Sequence, residues 1–135
     1  GGVSLSLADL NGDGKLDVAV ANFYTDSASV LLNAGNGGFA APQAYPTDIG
    51  PWGLDVADLN GDGHPDLVFG NVDAGDVTVL VNAGDGTFAM RTDYPASAGN
   101  RSVTAADFNG DGQADVAVLG ADAETLSVLF STCVQ

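Results

Sequence analysis

Asp and Asn side chains recur at alternate positions in three short, glycine-containing segments. The segments read DLNGDGKLD (9–17), DLNGDGHPD (58–66) and DFNGDGQAD (107–115). Carboxylate, amide and backbone oxygens are the ligands that calcium prefers, and the ion takes about six to eight of them. Glycine at the sixth position allows the sharp turn that curls the chain around an ion. The shared pattern D-x-N-x-D-G-x-x-D therefore predicts three calcium (Ca2+) sites, one in each loop.

The predicted ligands are the side chains at loop positions 1, 3, 5 and 9 and the backbone carbonyl at position 7. In chain order they are Asp9, Asn11, Asp13, Lys15 and Asp17; Asp58, Asn60, Asp62, His64 and Asp66; and Asp107, Asn109, Asp111, Gln113 and Asp115. Residue 7 contributes only its carbonyl oxygen, which is why Lys, His and Gln can all stand there. The four side-chain ligands are the same in every copy.

Two better-known glycine-containing loops do not fit these segments. An EF-hand needs a Glu at position 12 and flanking helices, but position 12 holds Val20, Phe69 and Val118. A phosphate-binding loop would need a GK[ST] ending, and clustered carboxylates repel phosphate. Polar Asx turns without any metal are the remaining alternative. Magnesium is disfavoured because it keeps several waters in a tight octahedron.

The charge of the chain is strongly acidic. It carries 18 acidic and three basic residues, for a formal net charge of −15. This balance argues against nucleic acid or an anionic membrane surface as a partner. Three divalent ions would change the formal charge from −15 to −9, because each adds two positive charges. We therefore expect bound calcium to stabilise the fold by neutralising part of this negative charge.

The sequence offers no set of catalytic residues. Its one histidine lies inside a predicted calcium loop, so no Ser–His–Asp arrangement can be argued. The acidic residues Asp55, Asp73, Asp76 and Glu124 show no pairing pattern, and we interpret them as solvated loop charges. The single Cys133 excludes an internal disulfide. No apolar run approaches the roughly 18 residues of a membrane span. We predict a protein that is neither an enzyme nor inserted in a membrane.

The elements that must position these loops follow from an internal repeat. The loops begin at Asp9, Asp58 and Asp107, and flanking segments such as DVAVAN (17–22) and DLVFGN (66–71) repeat at the same spacing. The first unit contains four short segments of period-two apolar pattern: VSLSLA (3–8), LDVAVAN (16–22), SVLLN (29–33) and FAAPQAY (39–45). Four antiparallel strands in a repeat of about 50 residues are typical of a β-propeller blade.

The prediction is an all-β chain of three propeller blades, each with four antiparallel strands except the last, which lacks its fourth. Blade one covers residues 1–49, blade two 50–98 and incomplete blade three 99–135. Three blades do not close a ring that normally has about 4–8. Two interpretations remain: the other blades lie in a longer parent chain, or the chain associates with itself to complete a ring.

The acidic loops, together with DVAVAN and VLLNAGNGGF (30–39), resemble FG-GAP/VCBS repeats, as in integrin α-subunit propellers and secreted bacterial and fungal proteins. The resemblance covers essentially the whole chain. It implies a β-propeller braced by calcium at one rim of each blade. It also implies an extracellular or cell-surface module for recognition or adhesion, with an unknown protein or glycan ligand. A carbohydrate-binding lectin is the first alternative, and the propeller part of a larger secreted enzyme is the second.

Trp52 differs from its counterparts in the other units. The 49-residue repeat places it level with Val3 and Arg101. It could fill the core between blades, or it could stack on a sugar at the surface. Phe23 and Tyr24 follow the second strand of blade one and form a second candidate surface patch.

Overall fold

A computed structural model describes residues 1–121 and 124–131. Eleven strands lie in this part of the chain: β1 Gly2–Ala8, β2 Asp17–Asn22, β3 Ser27–Leu31, β4 Gln43–Pro46, β5 Pro51–Ala57, β6 Asp66–Asn71, β7 Asp76–Asn82, β8 Phe88–Pro95, β9 Asn100–Ala106, β10 Asp115–Gly120 and β11 Thr125–Leu129. One 3₁₀ turn spans Phe23–Thr25. No helix in the described ranges is long and apolar enough to cross a membrane. Cys133 lies outside the described residues.

The strands form three antiparallel sheets in which chain neighbours are also spatial neighbours. The orders are β1-β2-β3-β4, β5-β6-β7-β8 and β9-β10-β11. The sheets begin at Gly2, Pro51 and Asn100, so each starts 49 residues after the one before. The predicted all-β fold of four-stranded, propeller-like blades is confirmed. Within the described residues the third sheet has three strands.

Alternation of side chains explains why these segments form strands. In β2 the buried residues Asp17, Ala19 and Ala21 alternate with partly exposed ones, because successive side chains point to opposite faces. In β6 all six residues are buried, since the middle sheet is covered on both faces. The middle sheet thus carries most of the packing that holds the three blades together.

Two apolar cores lie between the sheets. The first joins sheet one to sheet two through Leu10, Ala19, Ala21, Ala28, Val30, Leu54, Leu67, Phe69, Leu80 and Phe88. The second joins sheet two to sheet three through Val68, Val77, Val79, Val103, Val116 and Val118. Tyr45 packs edge-on against Phe88, with 5.3 Å between ring centroids.

The outward faces of the first and third sheets carry exposed apolar side chains. Leu5 and Leu7 on β1 are 64% and 54% exposed, and Leu126 on β11 is 69% exposed. The corresponding faces of the middle sheet are covered by their neighbours. Completion by further blades or by a second copy, inferred from the sequence, stays a prediction.

The fourth strand of the first unit is shorter than the sequence predicts. The pattern indicated a strand over residues 39–45, whereas β4 begins at Gln43. Phe39 makes only an isolated bridge to Asn33, and Pro42, which has no backbone N–H to donate, precedes the strand. The prediction for this segment was therefore wrong at its N-terminal end.

Asp55 links the second and third sheets, which corrects its interpretation as a solvated loop charge. It lies in β5, and its Oδ2 accepts hydrogen bonds from the Ala105 N–H at 2.8 Å and the Thr104 hydroxyl at 3.2 Å. Both donors belong to β9. A carboxylate that accepts two such bonds holds neighbouring first strands in register.

Gly53 lies where the first strands of sheets two and three are in close contact. A β-carbon at this position would lie 3.0 Å from the Arg101 carbonyl oxygen and 3.0 Å from the Val103 nitrogen. Both atoms are backbone, so neither can move aside alone. The absence of a side chain at this position therefore permits the close spacing of β5 and β9.

Gly53→Ala is expected to lower the free energy of unfolding by about 1–3 kcal/mol, because an added methyl group overpacks this contact. Chemical denaturation measures the change. Gly38→Ala is the control, since its β-carbon would meet only the Asn36 side chain, at 3.2 Å. Equal stability of the two variants would mean that β5 and β9 are not closely packed.

Candidate metal centre

The three acidic loops occupy equivalent places in the fold. Each connects the first strand of a sheet to the second: β1 to β2, β5 to β6, and β9 to β10. Glycines at positions 4 and 6 of every loop have φ between 74° and 88°, a backbone region that other residues adopt with difficulty. The sequence therefore builds the same turn three times at one edge of the sheets.

In the first loop the side chains at positions 1 and 3 converge on one backbone N–H. The Asp13 N–H donates to Asp9 Oδ1 at 3.0 Å and to Asn11 Oδ1 at 3.1 Å. The Gly14 N–H donates to Asp9 Oδ2 at 2.8 Å, and the Lys15 N–H donates to Asp13 Oδ1 at 3.0 Å. The loop thus draws the predicted ligands at positions 1, 3 and 5 together around its own backbone.

The second and third loops repeat this geometry. The Asp62 N–H lies 3.2 Å from Asp58 Oδ1 and 2.9 Å from Asn60 Oδ1. The corresponding distances from the Asp111 nitrogen, to Asp107 Oδ1 and Asn109 Oδ1, are 3.2 and 2.8 Å. The three loops share this hydrogen-bond geometry although their surroundings in the fold differ. The nine-residue motif itself therefore determines the geometry.

The position-5 carboxylate already has positive or polar neighbours. In the first loop the Lys15 ammonium lies 2.8 Å from Asp13 Oδ2, and this hydrogen bond lowers the pKa of Asp13. In the second loop the Asn60 amide donates to Asp62 Oδ2 at 2.9 Å. The His64 backbone N–H lowers the pKa of Asp62. These carboxylates stay ionised at neutral pH, as metal ligands must.

The aspartates at position 9 have a different environment from the other predicted ligands. Asp17, Asp66 and Asp115 are fully buried, whereas most of the other ligand side chains are exposed. Asp66 accepts the Leu59 N–H at 3.0 Å through Oδ2 and the Asn82 N–H at 2.9 Å through Oδ1. Each position-9 carboxylate thereby fastens its loop to the end of the third strand of the same sheet.

Burial raises the pKa of Asp66, although the hydrogen bonds from Asn82 and Leu59 act in the opposite direction. The nearby carboxylates of Asp62 and Asp58 raise it further. A buried carboxylate beside two others is unfavourable unless a cation compensates. The loop therefore has a local excess of negative charge that a divalent ion would neutralise.

The donor chemistry of the loops fits a hard, oxygen-seeking cation. Each loop brings together two carboxylates and one amide oxygen at positions 1, 3 and 5. The position-9 oxygens of Asp66 each accept one N–H and so retain a lone pair. In the described part of the chain, no group of three or more His, Cys, Asp or Glu side chains is close enough to hold a metal by itself. A shell of the predicted composition would also use the amide oxygen at position 3 and the backbone carbonyl at position 7.

The side chains at position 7 cover the glycines of a neighbouring turn. A β-carbon on Gly84 would lie 2.8 Å from His64 Nε2, and one on Gly35 would lie 2.8 Å from Lys15 Cε. His64 is exposed to solvent on its outer side. These contacts give the position-7 side chains a packing role beside the turns NAGNG (33–37) and NAGDG (82–86).

A second acidic group lies at the opposite end of the second sheet, and the sequence did not predict it. Arg91 is within 2.8 Å of Asp93 and 3.4 Å of Asp48. Asp76, interpreted as a loop charge, accepts a 2.7 Å hydrogen bond from the Asn71 amide. Burial raises the pKa of Asp76, and the carboxylates of Asp48 and Asp93 raise it further. Two of these carboxylates, Asp48 and Asp93, contact the Arg91 guanidinium, whereas Asp76 does not.

Asp76→Asn is expected to stabilise the protein by about 0.5–1 kcal/mol at pH 7, because it removes like-charge repulsion in a partly exposed group. In the wild type this repulsion disappears as Asp76 takes up a proton, when the pH falls through its raised folded-state pKa towards 3.8, the ordinary pKa of an aspartate. The advantage of the variant should therefore shrink between neutral pH and pH 4. Urea denaturation across this range measures it.

Asp85→Asn is a control of opposite sign for this pH series. The Thr87 hydroxyl and N–H lower the pKa of Asp85, so its charged form is favoured in the folded state. Asp85→Asn should be slightly destabilising at pH 7, with the difference disappearing at low pH. A constant advantage of Asp76→Asn down to pH 4 would contradict the assignment of repulsion at Asp76.

Trp52 lies outside both apolar cores and is 38% exposed. Phe23 packs edge-on against it with 5.4 Å between ring centroids, and Tyr24 packs edge-on against Phe23 at 5.1 Å. The Arg101 guanidinium carbon lies 5.7 Å from the centroid of the Trp52 ring. The sequence left Trp52 open between core and surface. The structure places it at the surface, in contact with Phe23 and Arg101.

The antiparallel four-stranded sheets and the loop between the first two strands of each unit define a protein of the β-propeller type. The family model described as FG-GAP-like repeat matches residues 9–69 and 58–118, which together span most of the chain. The chain belongs to the FG-GAP-like repeat family. Each match begins on an acidic loop and includes the next one. No curated protein matched the sequence.

Proposed function

We propose that the chain is a calcium-binding module in which each of the three loops holds one ion. The observation that carries this proposal is the threefold repetition of one geometry, in which carboxylate and amide oxygens at positions 1 and 3 meet on the N–H of position 5. The predicted shell uses side chains at positions 1, 3, 5 and 9 and the carbonyl at position 7. The net charge of −15 also favours cation binding.

Hydrogen–deuterium exchange tests this proposal at the level of single loops. In about 5 mM calcium, a concentration in the range that fills extracellular modules, amides of all three loops should exchange more slowly than in chelator. Magnesium at the same concentration should protect them less, because it prefers to retain its waters. Unchanged exchange in the loops with calcium would sink the proposal.

We further propose that the calcium-braced blades form an extracellular or cell-surface recognition module. Affinities of about 10⁻⁴–10⁻³ M are common for extracellular calcium modules, and cytosolic calcium would not fill such sites. A role in adhesion to a protein partner is the leading candidate. Glycan binding is the second candidate, and the exposed aromatic group around Trp52 favours it. A screen of glycans and cell surfaces in calcium and in chelator distinguishes the two.

A further inference from the structure

One exposed group of side chains is distinct from the calcium loops. It consists of Phe23, Tyr24, Trp52 and Arg101, and we call it the aromatic patch. Its members come from the turn after β2 and from the beginnings of β5 and β9, so it joins parts of all three sheets. The loops lie at the other ends of β2, β5 and β9. The patch is therefore at the opposite edge of the sheets.

The patch presents aromatic surface to solvent. Tyr24 is 78% and Trp52 38% exposed, although the rings are held in place by edge-on contacts at 5.1 and 5.4 Å. Fixed aromatic rings lose little conformational freedom when a ligand binds, because they have few rotatable bonds. The equivalents of Phe23 and Tyr24 in the second unit are Val72 and Asp73, so this arrangement is specific to the first junction.

Arg101 gives the patch a positive charge in an otherwise acidic protein. Of the three basic residues, Lys15 pairs with Asp13, and Arg91 pairs with Asp48 and Asp93. Within residues 1–121 and 124–131, Arg101 has no carboxylate partner and instead stacks on Trp52. A guanidinium has a fork of donors that matches a carboxylate. The patch thus provides a binding position for one acidic group.

Asp73 adds an acceptor near the Phe23 ring. Its Oδ2 and the Phe23 ring atom Cε2 lie 3.0 and 3.1 Å from the position that a β-carbon on Gly50 would take. Asp73 is exposed, so its oxygens are available to hydroxyl donors. Aromatic surface, a guanidinium and a carboxylate together suit a ring that carries hydroxyl groups and one acid.

Size and charge narrow the class of ligand. The patch has only four side chains, which is enough to contact a single sugar ring. A stable protein interface, in contrast, uses about 20–30 residues of each partner. The net charge of −15 repels a polyanion. The weakly positive C–H face of a sugar ring is attracted to the negative face of an aromatic ring. These features favour a glycan with isolated acidic residues over nucleic acid or an acidic peptide.

We propose that the aromatic patch binds a uronic-acid-type sugar residue, with Arg101 holding its carboxylate and the exposed aromatic rings stacking on its C–H face. This inference rests on the second candidate of the proposed recognition role, glycan binding, and names the class of glycan. Asp73 accepts hydrogen bonds from the sugar hydroxyls. Trp52 forms the floor between the guanidinium and the other two rings.

The test uses the fluorescence of Trp52, which is the only tryptophan. Methyl glucuronide and methyl glucoside are titrated in calcium as a pair that differs in the acid. The proposal expects a saturable change with the glucuronide and binding at least about tenfold weaker with the glucoside, because the charge-assisted bonds to Arg101 are absent. Equal binding of both glycosides, or no saturable change with either, overturns it.

Variants assign the effect to named side chains. Arg101→Ala should remove the preference for the glucuronide, and Arg101→Lys should restore only part of it, because an ammonium lacks the planar fork. Met90→Ala, a change at an exposed residue on the fourth strand of the second sheet, should leave binding unchanged. Undiminished glucuronide binding by Arg101→Ala overturns the proposal. So does tighter binding of N-acetyl-Phe-Asp-amide, which would indicate a protein ligand.

A separate measurement on the same samples tests the calcium proposal. Thermal unfolding of the same samples with calcium and with chelator reports on the loops, at the other edge of the sheets. A calcium-stabilised protein that binds no glucuronide refutes the sugar site alone. A protein that calcium does not stabilise refutes the proposed function itself.

Discussion

Replacing Asp66 by alanine is expected to lower the free energy of unfolding by about 2–4 kcal/mol in the absence of calcium, because one buried and one partly buried backbone N–H group lose their acceptor. Those groups belong to Leu59 and Asn82. Asn82 also reaches the first acidic loop, where its amide donates to the Leu10 carbonyl at 2.8 Å. The change should therefore loosen the contact between sheets one and two. Urea denaturation in chelator measures it.

Asp62→Ala is the matched control for this experiment. Asp62 belongs to the same loop and the same predicted metal shell, but it is exposed and bonds only within the loop. Without calcium its replacement should change the free energy of unfolding far less than Asp66→Ala does, because substitutions at exposed positions usually have small effects. In calcium both variants should lose the contribution of one ion. If Asp66→Ala matched the wild type in chelator, the structural role of the buried carboxylate would be wrong.

Calcium is expected to raise the melting temperature by on the order of 10–20 °C. A ligand that binds only the folded state stabilises it by mass action, and 10 mM calcium at an affinity of about 10⁻³ M gives about 1.4 kcal/mol per site. Three sites then contribute about 4 kcal/mol, which shifts a domain of this size by several degrees per kcal/mol. Differential scanning calorimetry with calcium and with chelator measures the shift.

Two comparisons make this second result specific. Magnesium at equal concentration should give a smaller shift, because it must lose tightly held water molecules to bind the oxygens of the loop. Sodium chloride at equal ionic strength should give only a small shift, because it screens the exposed charges without occupying a binding site. Equal shifts with calcium and with sodium chloride would show that screening of the acidic surface, rather than occupied sites, stabilises the protein.

The repeated features of the fold could be predicted from the sequence. Period-two patterns and turn residues indicated the strands because each signal is local, and three copies reinforced it. The first strand was expected over 3–8 and is Gly2–Ala8. The fourth strand of the first unit was predicted too long, because Phe39 belongs to an apolar pattern but pairs only as an isolated bridge.

Contacts between units could not be predicted in this way. Asp55 bonds to residues 49 and 50 positions further along the chain, and no local pattern reports such a distance. The available signal in the sequence was the position of Asp55, a charged residue within an otherwise apolar strand. The repeat makes Thr104 the equivalent of Asp55, so aligning the units would have paired these two positions. The proximity of Asp76 and Arg91 to Asp48 was missed for the same reason, because Asp48 lies in the first unit.

The loop motif predicted which residues lie close together, but it did not predict which of them are exposed and which are buried. Positions 1, 3 and 5 lie together at the surface, where an ion has access. Position 9 is buried, and the Asp66 oxygens accept one N–H from the loop itself and one from the end of the third strand. The spacing of the motif does not reveal burial, which arises from the sheet beneath the loop. The structure therefore gives the position-9 carboxylate a part in folding in addition to the predicted part in metal binding.

Counting the bound ions tests the central claim most directly. Equilibrium dialysis of the chain against about 5 mM calcium, followed by elemental analysis, covers the affinity range of extracellular modules. The wild type is expected to bind three calcium ions per chain, and Asp62→Ala is expected to bind two. A wild-type chain that holds no calcium above the dialysis buffer, or an Asp62→Ala count equal to that of the wild type, would contradict a metal site in each acidic loop.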